Sequence, residues 1–451
     1  MKGKIWNPAI ECMNPLKIKS LQEERFLSII HWAYKKTPFY RKKFDQVGLP
    51  PSDIRSLKDI VKIPFTYKDQ LRVSQERMPP YGEHCASPEK IYRTYWSTGT
   101  TGRPTFMGVS YKEALYWDDV IARSLFSSEL RKGDLFHHAT QLSSFAGGYG
   151  FLLAAQLIGA NTIPAGAGNT ERHLWLISTL KPRFLKILPS YANYLAEVGY
   201  KMGIDLSASS IERIFLSAEP SPLALRQEIE RKWGAITYDS YGLSDVGQPQ
   251  SYECYLHDGH HVISDWNLTE IVDPETKEPI QEQGKEGILV FTNLVRKAMP
   301  IIRFWTNDLT SWKSFEPCAC GRTYARIFPV YRRVDDTIKV KGINFWPAAV
   351  WTVLGRQPDL TGNHRIFVET RVGKDYLKIV MELKEGRKPE KEKLIDALKS
   401  KFQSTLFIRV DEIELLPFGS LKTSEHKGKT MVDMRKTESS SPSLKERNNI
   451  S

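Results

Sequence analysis

Residues Trp96 to Thr105 read WSTGTTGRPT, a stretch crowded with glycines, hydroxyl side chains and one cation. Such a segment can close backbone N–H groups around phosphate oxygens, because glycine tolerates the torsions required and hydroxyls add donors. Its spacing is not G-x-x-x-x-G-K-[ST], so this is not the P-loop of GTPases. A solvent-exposed Gly/Thr turn accounts for the same composition, and these residues alone leave both readings open. A second group of residues has the chemistry of a metal site. Cys254 is followed by His261, and Cys318 and Cys320 come about sixty residues later. Three thiolates and one imidazole satisfy tetrahedral Zn2+. Cys-x-Cys is less usual than Cys-x-x-Cys, His260 is an alternative ligand, and reduced, metal-free thiols are the competing reading. An odd, sparse set of 5 cysteines in a long chain argues against a disulfide framework.

The elements that must position these groups belong to a chain of 451 residues, too long for a single core, so two or more domains are expected. The hydrophobic share of 41% and charged share of 26% are those of an ordinary soluble enzyme. No apolar run reaches membrane-spanning length, and the opening MKGKIWNPAIEC has no signal core. The reading is therefore no membrane and a cytoplasmic location. The formal charge of +12 is dispersed without a basic block, which describes a solvated surface and no nucleic-acid partner.

Leu21 to Tyr40 has Phe26, Ile30 and Ala33 on one stripe, predicting an amphipathic helix stopped by Pro38. The middle of the chain alternates β-like runs (184–188, 213–216) with helical ones (223–233), the pattern of α/β layers around a buried sheet. Residues 256–310 turn to strands and turns. Residues 332–341 open with adjacent acids and continue as an alternating strand. A compact α+β pattern follows, with a strand at 376–383, a helix at 389–402 and a strand-like run at 407–416. The fold class is α/β: a large N-terminal domain of layered sheets and helices over 1–334 and a small α+β domain over 335–436. The Ser-rich, polar residues 437–451 are expected to be disordered.

Taken together, these strings resemble the phenylacetate-CoA ligase family of the adenylate-forming superfamily, whose phosphate loop is close to SSGTTGxPT. The matching segments run in the family's order from about Trp6 to Arg435. They include IPFTYKDQLR, WSTGTTGRPT, FAGGYG, SAEPSP, YGLSDVG, AMPIIRFWTNDLT, CACGRT, RRVDDTIKVKGINFWP and SEHKGK. The resemblance implies a large adenylate-forming domain followed by a mobile C-terminal domain. It also implies an ATP-dependent ligase that converts a carboxylic acid to its acyl-adenylate and passes the acyl group to coenzyme A, releasing AMP and pyrophosphate.

The family's residue roles carry over position by position. Ser97, Thr98, Gly99, Thr100, Thr101 and Gly102 are implied at the ATP phosphates. In Asp239-Ser240-Tyr241-Gly242 the tyrosine is implied to stack on adenine, and Asp245 to hold Mg2+, for which a hard carboxylate is suited. Ala218, Glu219 and Pro220 are implied to line the adenine and acyl pockets, with Ser217 standing where the family has Gly. Asp308 corresponds to the acid that grips both ribose hydroxyls. Arg333 is expected near the ribose and α-phosphate, and Asp335 matches the first acid of the hinge. Lys427 corresponds to the lysine that offsets charge in the in-line displacement, with Lys429 the alternative register. Phe145, Gly147, Gly148 and Tyr149 are implied in the acyl pocket, where Ala146 and Tyr149 depart from the usual Thr and Leu. An aryl or arylacetic acid such as phenylacetate or indoleacetate follows from the family. Relatives with similar Cys and His segments suggest structural zinc at Cys254, His261, Cys318 and Cys320. A carrier-protein thiol or an amine is the alternative acceptor, and a homodimer is admitted. A basic binding protein on a decayed ligase fold is the third reading, against which intact Asp245, Asp308 and Lys427 weigh.

Overall fold

The computed structural model describes residues 5–97, 105–142, 146–341, 343–355, 357–371, 374–421 and 430–436. Thr98, Gly99, Thr100, Thr101 and Gly102 of the phosphate loop, Phe145, Lys427, Lys429 and the tail from 437 lie outside the described residues. Tertiary contacts divide the chain into two units. One comprises residues 1–188, 209–220 and 235–331, the other 189–208, 221–234 and 332–451. Two segments from the middle of the chain therefore group with the C-terminal residues, which the continuous division at 334/335 does not include.

In the first unit, helix Pro15–Lys36 starts with Pro in its first turn and with the Asn14 side chain accepting from the Leu16 N–H. It buries Phe26, Ile29, Ile30 and Ala33. The helix expected from Leu21 begins earlier, at Pro15, and stops where Pro38 is expected to stop it: Thr37 is extended and Pro38 opens the next helix, Pro38–Asp45. Strands β1 (Ile91–Trp96) and β2 (Phe106–Ser110) pair antiparallel on either side, in sequence, of the glycine- and threonine-rich segment. Next come β3 (Leu135–His138), β4 (Asn161–Ile163), β5 (Phe184–Ile187), β6 (Arg213–Ser217) and β7 (Ile236–Tyr241). They lie in the parallel order β4-β3-β5-β6-β7. β5 is buried at every position, as a strand covered on both faces must be. The sheet continues antiparallel through β8 (Ser251–Glu253) and β9 (His260–Val262), then β13 (Arg326–Ile327), β12 (Phe304–Ser314), β11 (Glu286–Asn293) and β10 (Asn267–Val272). A core of large side chains including Trp117, Phe136, Phe151, Phe215, Tyr238 and Trp266 joins the parallel strands to the helices Tyr111–Ser127 and Ala146–Ile158.

The second unit has its own core of 19 buried residues including Ile366, Leu377, Met381, Leu398 and Phe402. Strand Leu360–Arg371 pairs antiparallel with Lys374–Leu383, and these two pair parallel with Met431–Asp433 and Glu412–Leu416 respectively. Helix Lys391–Leu406 ends where Phe407 takes a φ of 54°, so the strand expected over 407–416 begins only at Glu412. The helices Pro189–Lys201 and Leu223–Trp233 belong here. Asn193 Nδ2 donates to the Thr361 carbonyl at 2.9 Å, and Trp233 Nε1 to that of Ala192 at 3.0 Å.

Candidate active site and metal centre

The residues with nucleotide-site chemistry gather at the C-terminal ends of the parallel strands, where open α/β sheets place their ligand crevice. β6 ends at Ser217 and β7 at Tyr241, with Ser217 opposite Ser240 in the register. Ala218 follows with a φ of 73°. That left-handed backbone costs an L residue about 1 kcal/mol or more, and such strain collects at functional sites. Gly242 packs on Gln248, whose Cβ would lie 2.4 Å from an added methyl, so a larger residue would displace the turn that carries Asp245.

Asp245 joins several segments of the chain. Its Oδ1 accepts from Thr105 Oγ1 at 2.9 Å, and its Oδ2 from Lys68 Nζ at 2.9 Å. Thr105 in turn shares a 2.7 Å hydroxyl hydrogen bond with Ser97, which joins the residues flanking the glycine- and threonine-rich segment. The Asp245 carbonyl accepts from Arg296 Nη1 at 2.9 Å. Arg296 is fully buried; burial pushes its guanidinium down to about 10, and its Nε and Nη2 have no hydrogen-bond partner among the described residues. The Asp245 carboxylate is thus paired with a lysine.

At the other end Tyr241 Oη donates to Asp308 Oδ2 at 2.5 Å. The Tyr241 ring stacks on Phe291, with centroids 6.3 Å apart and planes at 27°, so one face is braced. Asp308 is 3% exposed, on the bulged strand β12 beside Asn307 at φ 66°. Asp239 faces inward instead. Its N–H donates to Glu253 Oε2 at 3.0 Å, and its carboxylate lies 3.5 Å from His260 Nε2. Glu219 and Pro220 follow Ala218 in the turn after β6. In the second unit Arg333 makes a two-pronged pair with Asp335, both contacts at 2.8 Å.

Ala146 to Gly150 of the FAGGYG segment open helix Ala146–Ile158. A methyl at Gly148 would fall 1.7 Å from the Gln141 carbonyl, so glycine is required there for close backbone approach. Tyr149 is 42% exposed, with the Arg93 guanidinium 5.9 Å from its ring centroid. Sequence reasoning passed over Lys68, Arg296 and Lys186, and read Thr105 only as part of its motif. Lys186 carried a readable signal, a cation inside the apolar run FLKI; Lys68 and Arg296 have no local signature.

Cys254, His261, Cys318 and Cys320 converge. Their ligand atoms all lie within 4.8 Å of one another, and all four residues are buried. Cys254 follows β8, His261 lies on β9, and the two remaining cysteines occupy the turn between β12 and β13. Cys320 Sγ is 3.6 Å from His261 Nε2 and accepts from Arg322 Nη1 at 3.6 Å. Hydrogen bonds from Cys254 and Cys318 pull the Cys320 thiol well below its ordinary range, while the same contacts push Cys254 up. Three buried sulfurs and an imidazole whose Nδ1 has no partner among the described residues have the donor chemistry that suits Zn2+. His260 lies beside Asp239 and Glu253 and is not one of the four.

Comparison with known proteins accords with this geometry. Residues 41–293 match the family described as AMP-binding enzyme, and residues 342–435 the AMP-binding enzyme C-terminal domain. The chain is 36% identical to phenylacetate-coenzyme A ligase of Thermus thermophilus over 84% of its own length and 85% of that protein's. It is 34% identical to phenylacetate-coenzyme A ligase of Aromatoleum evansii, over 95% and 97%. Among solved structures, 2-hydroxyisobutyryl-CoA ligase in the postadenylation state with R3-HIB-AMP superimposes with a TM-score of 0.90 at 27% identity, covering 100% of this chain and 96% of that one. The chain belongs to the phenylacetate-coenzyme A ligase family of AMP-binding enzymes.

Proposed function

We propose that this chain activates an aryl or arylacetic acid with ATP at the ends of β6 and β7 and hands the acyl group to coenzyme A. Family membership makes it an AMP-forming acid–CoA ligase. One observation carries the assignment of the site. Thr105 and Lys68 meet on Asp245, while Tyr241 meets Asp308, so segments far apart in sequence supply phosphate-end and nucleoside-end chemistry to the same strand ends.

In the first step the acid's carboxylate oxygen attacks the α-phosphorus of ATP and pyrophosphate leaves. In the second the thiol of coenzyme A attacks the acyl carbonyl, loses its proton, and AMP leaves. The first step needs no protein nucleophile, and holding two bound reactants in line supplies much of the rate. Residues 97–102 receive the phosphates, Tyr241 stacks on adenine, Asp308 takes the ribose hydroxyls, and Ala218, Glu219 and Pro220 wall the acyl side. Asp245, paired with Lys68, would hold Mg2+, which would neutralise charge on the leaving pyrophosphate. Arg333 joins the nucleotide, Asp335 is the hinge acid, and Lys427 meets the charge that builds at the α-phosphate, as the family resemblance implies. Residues 335–436 act as the mobile domain. Cys254, His261, Cys318 and Cys320 would hold a structural Zn2+, which would supply a cross-link and no reacting group.

The test is ATP–pyrophosphate exchange over a panel of carboxylic acids, followed by addition of coenzyme A. Acid-dependent exchange, then AMP release with thioester formation, is the expected result. Exchange without CoA-dependent AMP release would move the acceptor to a carrier protein or an amine.

A further inference from the structure

Lys186 lies within β5, a strand buried at every position, and is 1% exposed. Its register neighbours are His138 on β3 and Phe215 on β6, so the three share one face of the sheet. Helix Ala146–Ile158, which opens with the acyl-pocket glycines, lays Phe151 over that face. Lys186 Nζ stands 4.5 Å from the Phe151 ring centroid and 5.7 Å from that of Phe215. Ser217 Oγ accepts from it at 2.7 Å and is its only hydrogen-bond acceptor among the described residues.

An ammonium carries three donors, and other buried lysines of this chain use theirs. Lys43 donates to the Phe65 carbonyl, Thr66 Oγ1 and Gln70 Oε1. Lys232 is held by Glu197, Glu228 and Asn193. Among the described residues Lys186 faces two aromatic rings and one hydroxyl and has no carboxylate partner. Burial pushes its ammonium down to about 7, and the neighbouring His138 is held neutral, pushed down to about 3 by its own burial and by Lys186. The one acceptor it has is Ser217, which stands where the family has glycine, at the head of the turn assigned to the acyl pocket. A lysine with donors to spare thus bridges the two segments assigned to that pocket.

We propose that Lys186 and Ser217 form a polar subsite of the acyl pocket that takes an oxygen acceptor carried on the acyl group. The substrate is then an oxygen-substituted acid (a ring hydroxyl, an oxo group or a second carboxylate) and not a plain hydrocarbon acid. This rests on the ligase reading of the same site. A pocket with buried donors discriminates strongly, because an analogue lacking the acceptor leaves those donors unpaired.

The test compares acids in pairs by pyrophosphate exchange: phenylacetate with its hydroxy- and carboxy-substituted forms, and 2-methylpropanoate with its 2-hydroxy form. The wild-type chain is expected to favour the oxygen-bearing member of at least one pair by about tenfold or more in kcat/KM. Lys186→Met should abolish that preference, chiefly through the KM for the acid, and Ser217→Gly should weaken it. Preference for the hydrocarbon member in every pair overturns the subsite, and so does an equal loss with all acids in Lys186→Met. Should Lys186→Met fail to fold, the wild-type comparison and Ser217→Gly decide alone. No exchange with any acid would overturn the ligase reading beneath it instead.

Discussion

Replacing Cys318 and Cys320 together by serine removes two of four converging donors, and its consequence can be worked from the structure. The ligand atoms lie within 4.8 Å of one another on buried residues, so a bound Zn2+ cross-links β9 to the turn after β12. His261 and Cys318 enclose a loop of about sixty residues, and closing such a loop is worth about 4 kcal/mol of chain entropy. Leaving buried donors without their cation adds about 3 kcal/mol. For a unit of this size each kcal/mol moves Tm by about 2 °C, so the variant should melt about 10 to 15 °C lower. Metal analysis of freshly purified, reduced wild-type protein should find about one Zn2+ per chain, calorimetry should show the drop, and a chelator should reproduce it in the wild type. Hydrogen exchange should rise in β8, β9 and β13 before it rises in β3, β5 and β6, which no metal ligand touches. A metal-free reduced protein whose Tm is indifferent to chelator and to the double substitution would refute the cross-link.

Lys427→Ala should cripple adenylate formation while largely sparing thioester formation from supplied acyl-adenylate; equal loss in both half-reactions, measured separately, contradicts the role given to that lysine. Tyr241→Phe removes the donor to the buried Asp308 carboxylate. A hydrogen bond to a charged group is worth about 1.5 to 3 kcal/mol, so the KM for ATP should rise by about tenfold or more, and an unchanged value would dissociate the pair from nucleotide binding. Acid should destabilise the fold through its buried histidines. Burial pushes His84, His137 and His138 down to about 3 and His364 to about 4, against an unfolded value of 6.5. Between those limits the unfolded chain binds protons that the native one does not. The stability from keeping these rings neutral is therefore complete above pH 6.5 and is lost as pH falls towards 4, by up to about 1.4 kcal/mol per histidine per pH unit. A Tm no lower at pH 5 than at pH 7 would contradict that account.

The chain's own periodicity was enough to find helix Leu223–Trp233 and strands Phe184–Ile187 and Arg213–Ser217, because a repeat of apolar residues states which face must leave water. It does not state what that face meets. Hence nothing in the sequence placed 189–208 and 221–234 with the C-terminal residues. At the site, ordered motifs named Asp245, Tyr241 and Asp308 as chemically apt. Only the folded strands decided that Thr105 and Lys68 would share Asp245, and that Tyr241 would brace Asp308. The lysine in FLKI was visible as an anomaly, yet its meaning depended on Ser217, which parallel pairing of β5 with β6 brings within 2.7 Å. Residue type fixes what a side chain can donate or accept, whereas the partner that receives it is a matter of distance, and distances between remote segments exist only once the sheet has formed.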